Sequence, residues 1–168
     1  LFDPTSTIKG KSSINMHQLA FLICRGGWPG SLDREEDVAL QQAKDYYDTL
    51  VNSDISRIDN VTRQVDRAKK ILRAYARAIG TQSRIPSLQK DIETNDFHNI
   101  SDLTLRSYIS ILKLLFVLED CSAWNPNLRS QTAIRTSNTR YFTDPSIGTA
   151  ALGLGPQDLI QDLHTMGL

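Results

Sequence analysis

Apolar residues recur at helical spacing through most of the chain. Residues 14–24 form a short apolar stretch that predicts a first helix, and the glycines and proline of the following Gly26, Gly27 and Pro29 predict its end. A second amphipathic helix is predicted from an Asp33 N-cap to about residue 56. Both helices precede the strongest periodic signal of the sequence.

The third predicted helix covers residues 61–79 and carries that signal. Its apolar residues recur at spacings of 4, 3, 4, 3 and 4: Val61, Val65, Ala68, Leu72, Tyr75 and Ile79. At about 100° per residue, the opposite side of the helix is cationic. Its members are Arg63, Arg67, Lys70, Arg73 and Arg77, with Asp66 as the one acid within the helix. We therefore expect one buried face and one basic face.

Two further helices are predicted next. Residues 85–93 form a short helix with Pro86 near its start, and Ser101 caps a longer one. The predicted inner face of the longer helix is Leu105, Tyr108, Ile109, Leu112, Leu115 and Phe116. Residues 61–117 thus have the pattern of a compact helix-turn-helix unit.

A β-hairpin is predicted after this unit. Residues 117–124 lose the helical period, residues 125–127 are typical of a turn, and residues 132–143 are rich in Thr, Arg and aromatic side chains. Its size and position match the wing of a winged helix, which Arg129, Arg135 and Arg140 would make basic.

The predicted fold class is therefore mainly α, a helical bundle with a winged helix-turn-helix-like unit and a small β-hairpin. Residues 1–60 are expected to be an N-terminal helical segment packed on the core, and residues 61–145 a winged-helix-like domain. Residues 146–168 would be a C-terminal helical segment that begins a further domain. The chain is expected to be part of a longer protein.

Composition favours a folded cytoplasmic protein. Hydrophobic residues make up 40% of the 168 residues, which is enough to build a core. The longest dense apolar run is too short to cross a membrane, and the first residues are not typical of a signal peptide. Cys24 and Cys121 are expected to be buried, reduced thiols.

The net charge of zero hides a pattern. Residues 1–62 have a net charge of minus three, residues 63–140 of plus six, and residues 141–168 of minus three. A basic middle between acidic ends is consistent with a local anionic partner, although an ordinary solvated surface has the same composition.

Motifs for catalysis and for cofactors are incomplete. Lys11 and Ser12 follow Gly10 as in a phosphate-binding loop, but Thr5 stands where the first glycine belongs. The three histidines and two cysteines lie far apart, so no metal site and no catalytic residue is predicted. Hydrolase chemistry has no supporting nucleophile motif.

The helix from Ser101 has two alternative interpretations. As a recognition helix it would place Thr104, Arg106 and Ser107 near nucleic acid, with Lys113 and the cations of the third helix and wing on the backbone. As a docking surface it would need no such contacts. Its few cations, beside Asp102, favour protein docking.

Several segments in this order resemble the region C-terminal to the ATPase core in predicted prokaryotic AAA-type ATP-binding proteins, a region usually labelled a domain of unknown function. The segments are Leu1-Phe2-Asp3, Arg25-Gly26-Gly27-Trp28-Pro29, Asp54-Ile55-Ser56, residues 101–118, Ala123-Trp124-Asn125-Pro126, residues 140–146 and residues 162–168.

The resemblance implies an ATPase core upstream, to which ATP and magnesium would bind, and no cofactor in this chain. Such regions are also likened to nuclease folds that hold metal with spaced carboxylates and a lysine. Asp144 could stand for one acidic position, but no Glu follows Glu119 and no Lys follows Lys113. The resemblance therefore does not carry nuclease activity to this chain.

Three hypotheses follow for function. The leading one is a non-catalytic interaction module, coupled to its own upstream ATPase core and docking onto a protein or DNA. The second is a sequence-tolerant DNA-binding winged helix. The third is self-association into a homo-oligomer through residues 14–24 and Trp28. None of them places the chain in a membrane.

Overall fold

Helices make up most of the computed structural model, which describes residues 10–58, 61–122 and 138–162. In chain order the helices are α1 (Met16–Arg25), α2 (Glu36–Thr49), α3 (Val65–Arg77), α4 (Ile85–Asp96), α5 (Asp102–Leu114), α6 (Pro145–Leu152) and α7 (Pro156–Gln161). A 3-10 turn, Pro29–Ser31, precedes α2, which continues through the π-helical turn Leu50–Asp54 into Ile55–Arg57. The mainly helical fold class is confirmed.

Helix ends follow local capping chemistry. The side chain of Ser101 accepts a hydrogen bond from the Thr104 amide and caps α5, as the sequence predicts. The Asp33 cap of α2 is wrong: Asp33 has a φ of 58°, and the helix begins at Glu36 after Glu35. A residue in the left-handed region cannot serve as an N-cap with extended backbone.

Helix α3 lies at the centre of the fold. Ala68, Leu72 and Tyr75 from the predicted stripe are completely buried. The helix is shorter than predicted at both ends, and Val61 lies exposed before it. The periodic face therefore identifies the core, although the helix ends are set by the surrounding chain.

One hydrophobic core joins residues from α2 to α6. Leu50, Leu72, Ile92, Leu112 and Ile147 contribute buried side chains to it from five different parts of the chain. Removing each such side chain from water contributes about 2 kcal/mol. The three segments predicted as 1–60, 61–145 and 146–168 thus share this core.

Two short segments after α5 pair in antiparallel register. Leu118 bridges Phe142, and Cys121 bridges Thr139. Within the described residues these bridges are isolated and no strand forms, so the predicted β-hairpin and wing are not established. The tip of that predicted hairpin, with Arg135, lies outside the described residues.

Candidate functional site

The predicted basic face of α3 is occupied by ion pairs. Lys70 Nζ lies 2.8 Å from Asp66, and an Arg73 nitrogen lies 3.4 Å from Asp96. Arg77 reaches two carboxylates of α4, Asp91 at 2.6 Å and Asp96 at 2.7 Å. The helical spacing of α3 shows only the acid within that helix, whereas the two acids of α4 come against it only in the fold.

Arg63 lies inside the protein rather than on that basic face. Its guanidinium donates to the Ile55 carbonyl at 3.0 Å and to the Ser107 hydroxyl at 3.5 Å. It also lies 5.7 Å from the centre of the Tyr108 ring. Arg63 therefore joins the end of the α2 region to α5, while Arg67 remains half-buried on α3.

The outer side of α5 is mostly exposed. Arg106 forms an ion pair with Asp102 one turn earlier, and both side chains are about half exposed. Thr104 is half-buried, and its hydroxyl lies 2.8 Å from that of Ser101. This face presents small polar groups beside one cation near its start.

Asp120 organises a cluster below the end of α5. Its side chain is 2% exposed, and Lys113 Nζ donates to it at 2.7 Å. Tyr75 donates its hydroxyl proton to Asp120, and Arg140 forms an ion pair with the same carboxylate. Burial alone would raise the pKa of Asp120, but the Lys113 and Tyr75 hydrogen bonds and the Arg140 charge together lower it below its ordinary value.

Arg140 is fixed from several directions. Its Nε donates to the Ser83 carbonyl at 2.9 Å, and its guanidinium carbon lies 5.7 Å from the centre of the Tyr75 ring. Its backbone accepts from Gly80 and donates to Thr81, both at 2.9 Å. The pKa of Tyr75 is raised above its ordinary value, mainly by burial and next by the hydrogen bond to Asp120.

A cleft of about 400 Å³ opens above this cluster. Its lining holds four cationic side chains, one carboxylate and four neutral residues. They are Ser83, Arg84, Ile85, Pro86, Arg106, Lys113, Asp120, Asn138 and Arg140. Three predicted binding residues, Arg106, Lys113 and Arg140, therefore meet here. Arg84 and Asp120 were missed, because they lie in separate segments and only the fold brings them together.

Two exposed phenylalanines flank α5. Phe97, at the end of α4, is 92% exposed, and Phe116, at the end of α5, is 75% exposed. Both have a left-handed backbone, with φ of 48° and 55°. Phe116 was predicted on the inner face of α5, but the helix stops at Leu114 and the turn that follows points Phe116 outward. Leu103 in the first turn of α5 is also 80% exposed.

The Gly-Gly-Trp segment is locked to the start of α6. Gly27 donates its amide to Asp144 at 2.7 Å, and Trp28 donates its indole N–H to Ser146 at 2.8 Å. Gly26 has a φ of 75°, and any Cβ there would overlap the Asp144 carboxylate. We call this set of contacts the Gly26–Asp144 junction. The junction joins distant parts of the chain. It includes Trp28, one of the residues expected to mediate self-association.

Within residues 10–58, 61–122 and 138–162, no three His, Cys, Asp or Glu side chains are placed to hold a metal ion. Both cysteines are free thiols; Cys24 is buried, and burial raises its pKa to about 11, whereas Cys121 is exposed and not buried as predicted. No helix in the described part of the chain is long and apolar enough to cross a membrane.

Comparisons with known proteins identify a family but no activity. No curated protein and no solved structure matches the chain. A family model does match, over residues 16–158, which include every helix from α1 to α6, the cleft and the Gly26–Asp144 junction. Its description mentions neither an ATPase nor a winged helix. The chain belongs to the family described as domain of unknown function DUF8612.

Proposed function

We propose that the chain is a non-catalytic interaction module of a larger prokaryotic AAA-type ATP-binding protein, and that it docks onto a protein partner, first of all its own upstream ATPase core. The observation that carries this proposal is the pair of exposed phenylalanines, Phe97 and Phe116, at the two helix ends around α5.

Neither phenylalanine is buried within the described residues. A residue other than glycine in the left-handed region costs about 1 kcal/mol, and an exposed ring returns little of that by burial. Glycine or asparagine would end both helices at lower cost. Large exposed aromatic side chains are instead typical of protein-binding surfaces, where they become buried anchors.

The sequence resemblance supports the wider setting. Two of its segments, around Gly26 and around Asp144, meet directly at the Gly26–Asp144 junction. The order α3, α4, α5 followed by two paired segments is consistent with a winged-helix-like unit. ATP and magnesium would bind to the upstream core, and this chain would receive or transmit its nucleotide state.

The docking surface can be tested by substituting both rings. Phe97→Asn and Phe116→Asn should leave the melting temperature of the chain unchanged or higher, because asparagine tolerates the left-handed backbone. Binding to the separately purified upstream region, measured by calorimetry, should weaken at least tenfold, the effect of losing a buried aromatic anchor.

Leu32→Asn is the matched control, since Leu32 is an exposed apolar side chain in a loop remote in sequence from α5. It should bind as the unmodified chain does. Undiminished binding by the double phenylalanine variant would reject the docking surface. A longer protein that neither binds nor hydrolyses ATP would reject the ATPase setting.

Sequence-tolerant DNA binding is the second candidate, favoured by the convergence of Arg106, Lys113 and Arg140 on one cleft. Contact with phosphates would make the affinity fall steeply with salt. Lys113→Gln should reduce that dependence because Lys113 lines the cleft, whereas Arg73→Ala should not, because Arg73 lies outside the cleft and is paired with Asp96. Undetectable binding to duplex DNA at low salt would eliminate this candidate.

A further inference from the structure

The cleft beside Asp120 has the volume of a small-ligand site. Its volume of about 400 Å³ lies within the usual range for pockets that hold small molecules. Cations approach it from three separate parts of the chain: Arg84 before α4, Arg106 and Lys113 from α5, and Arg140 from the segment paired with residue 121. These cations converge on one space, as the oxygens of a single phosphate group require.

The lining also contains a neutral part. Ile85 and Pro86 in the first turn of α4 form an apolar wall, and Ser83 and Asn138 add neutral hydrogen-bonding groups. The one carboxylate is buried and already bonded to Lys113, Arg140 and Tyr75. Asp120 therefore holds the floor of the cleft in place. Arg106 pairs with Asp102 on the surface, and the four cations still outnumber these two carboxylates.

We propose that this cleft binds a small molecule that carries a phosphate group, with Arg84, Arg106 and Lys113 at the phosphate and the wall of Ile85 and Pro86 against its organic part. Arginine donors match phosphate oxygens in pairs, and lysine adds a compact charge. Arg140, held in place by Asp120 and Ser83, keeps the edge of the cleft in position. A phosphate site in this cleft does not require docking through Phe97 and Phe116.

Ribose 5-phosphate, inorganic phosphate and unphosphorylated ribose are the probes, added to the isotope-labelled protein at constant ionic strength. Amide chemical shifts should move around Ser83, Lys113 and Asn138 with ribose 5-phosphate, less with inorganic phosphate, and not with ribose. Arg84→Gln and Lys113→Gln should each weaken the affinity for ribose 5-phosphate about tenfold, since each removes a charged hydrogen-bond donor.

Lys90→Gln is the control, because it removes the same charge from an exposed position on α4 that does not line the cleft. Melting curves of each variant establish that it is folded, and Arg84→Gln does not touch the Asp120 ion pairs. No shift at millimolar ribose 5-phosphate, or equal weakening by Lys90→Gln, would overturn the proposal. Shifts produced by a short DNA duplex but by none of the phosphorylated small molecules would also overturn it and would favour the DNA candidate.

Discussion

The basic face of α3 and the cleft beside Asp120 differ in how far their positive charge is neutralised. On α3, Arg73 and Arg77 are paired with carboxylates that α4 supplies, so the face is largely neutralised within the chain. In the cleft, Lys113 and Arg140 share Asp120 and Arg106 pairs with Asp102, so three of the four cations share these two carboxylates. A dense run of cations in a sequence therefore does not identify the surface where positive charge is available.

The two regions also differ in what their acids do. Asp96 is 6% exposed and stabilises the packing of α4 against α3. Asp120 is 2% exposed and joins Tyr75 of α3, Lys113 of α5 and Arg140. Both acids are internal anchors, but only Asp120 lies on the floor of an open cleft.

The largest expected effect is that of Asp120→Asn, which keeps the shape of the side chain and removes its charge. We expect a loss of about 3 kcal/mol in the free energy of unfolding, because two cations lose a buried partner. Urea denaturation measures it. Stability equal to that of the unmodified protein would mean that Asp120 is not an internal anchor, contrary to the comparison with Asp96.

The next largest effect is expected for Asp96→Asn, a loss of about 2 kcal/mol in the free energy of unfolding. The loss is smaller than for Asp120→Asn because Arg73 and Arg77 are partly exposed and water compensates for some of it. The same variant should strengthen binding of a polyanion such as heparin, because the charges of α3 become available. If heparin affinity stayed constant while stability fell, pairing with Asp96 would not be what neutralises this face.

A smaller effect is expected from pH. The pKa of Asp120 is lowered in the folded protein, so its contribution to stability is complete at neutral pH and is lost as pH falls below the unfolded value of about 4. Urea midpoints measured from pH 7 downward should fall more steeply for the unmodified protein than for Asp120→Asn. Parallel curves would show that Asp120 is not the titrating group.

The smallest effect is predicted for Asp102→Asn. Asp102 pairs with Arg106 on the exposed surface of α5, where an ion pair of this kind contributes little. Its melting temperature should match that of the unmodified protein, which makes it the charge-matched control for Asp120→Asn. A clear loss of stability would place the Arg106 pair among the structural anchors.

The sequence predicts the helices well where burial is periodic. Ala68, Leu72 and Tyr75 recur on one face because each must avoid water, and that requirement is local. The helix ends were predicted less well, since Asp33 satisfies a capping pattern while its backbone is left-handed. The capping preference of a residue type does not include such tertiary constraints.

The candidate site was only partly predictable. Arg106, Lys113 and Arg140 stand out by charge, but Asp120 looks like any surface acid in the sequence and becomes the floor of the cleft only through contacts with Tyr75 and Arg140. Arg63 shows the reverse: it fits the basic face of α3 by spacing, yet the chain turns before α3 and buries it. Pairing across helices is not encoded by spacing along one helix.

The Gly26–Asp144 junction also constrains the order of events in folding. Its hydrogen bond joins residues 117 positions apart, so the loop that it closes is long and entropically costly until the intervening helices have packed. Local contacts within α3, α4 and α5 involve much shorter loops and can form first. Substitutions at Gly26 should therefore act mainly on the rate of unfolding and leave the folding rate nearly unchanged.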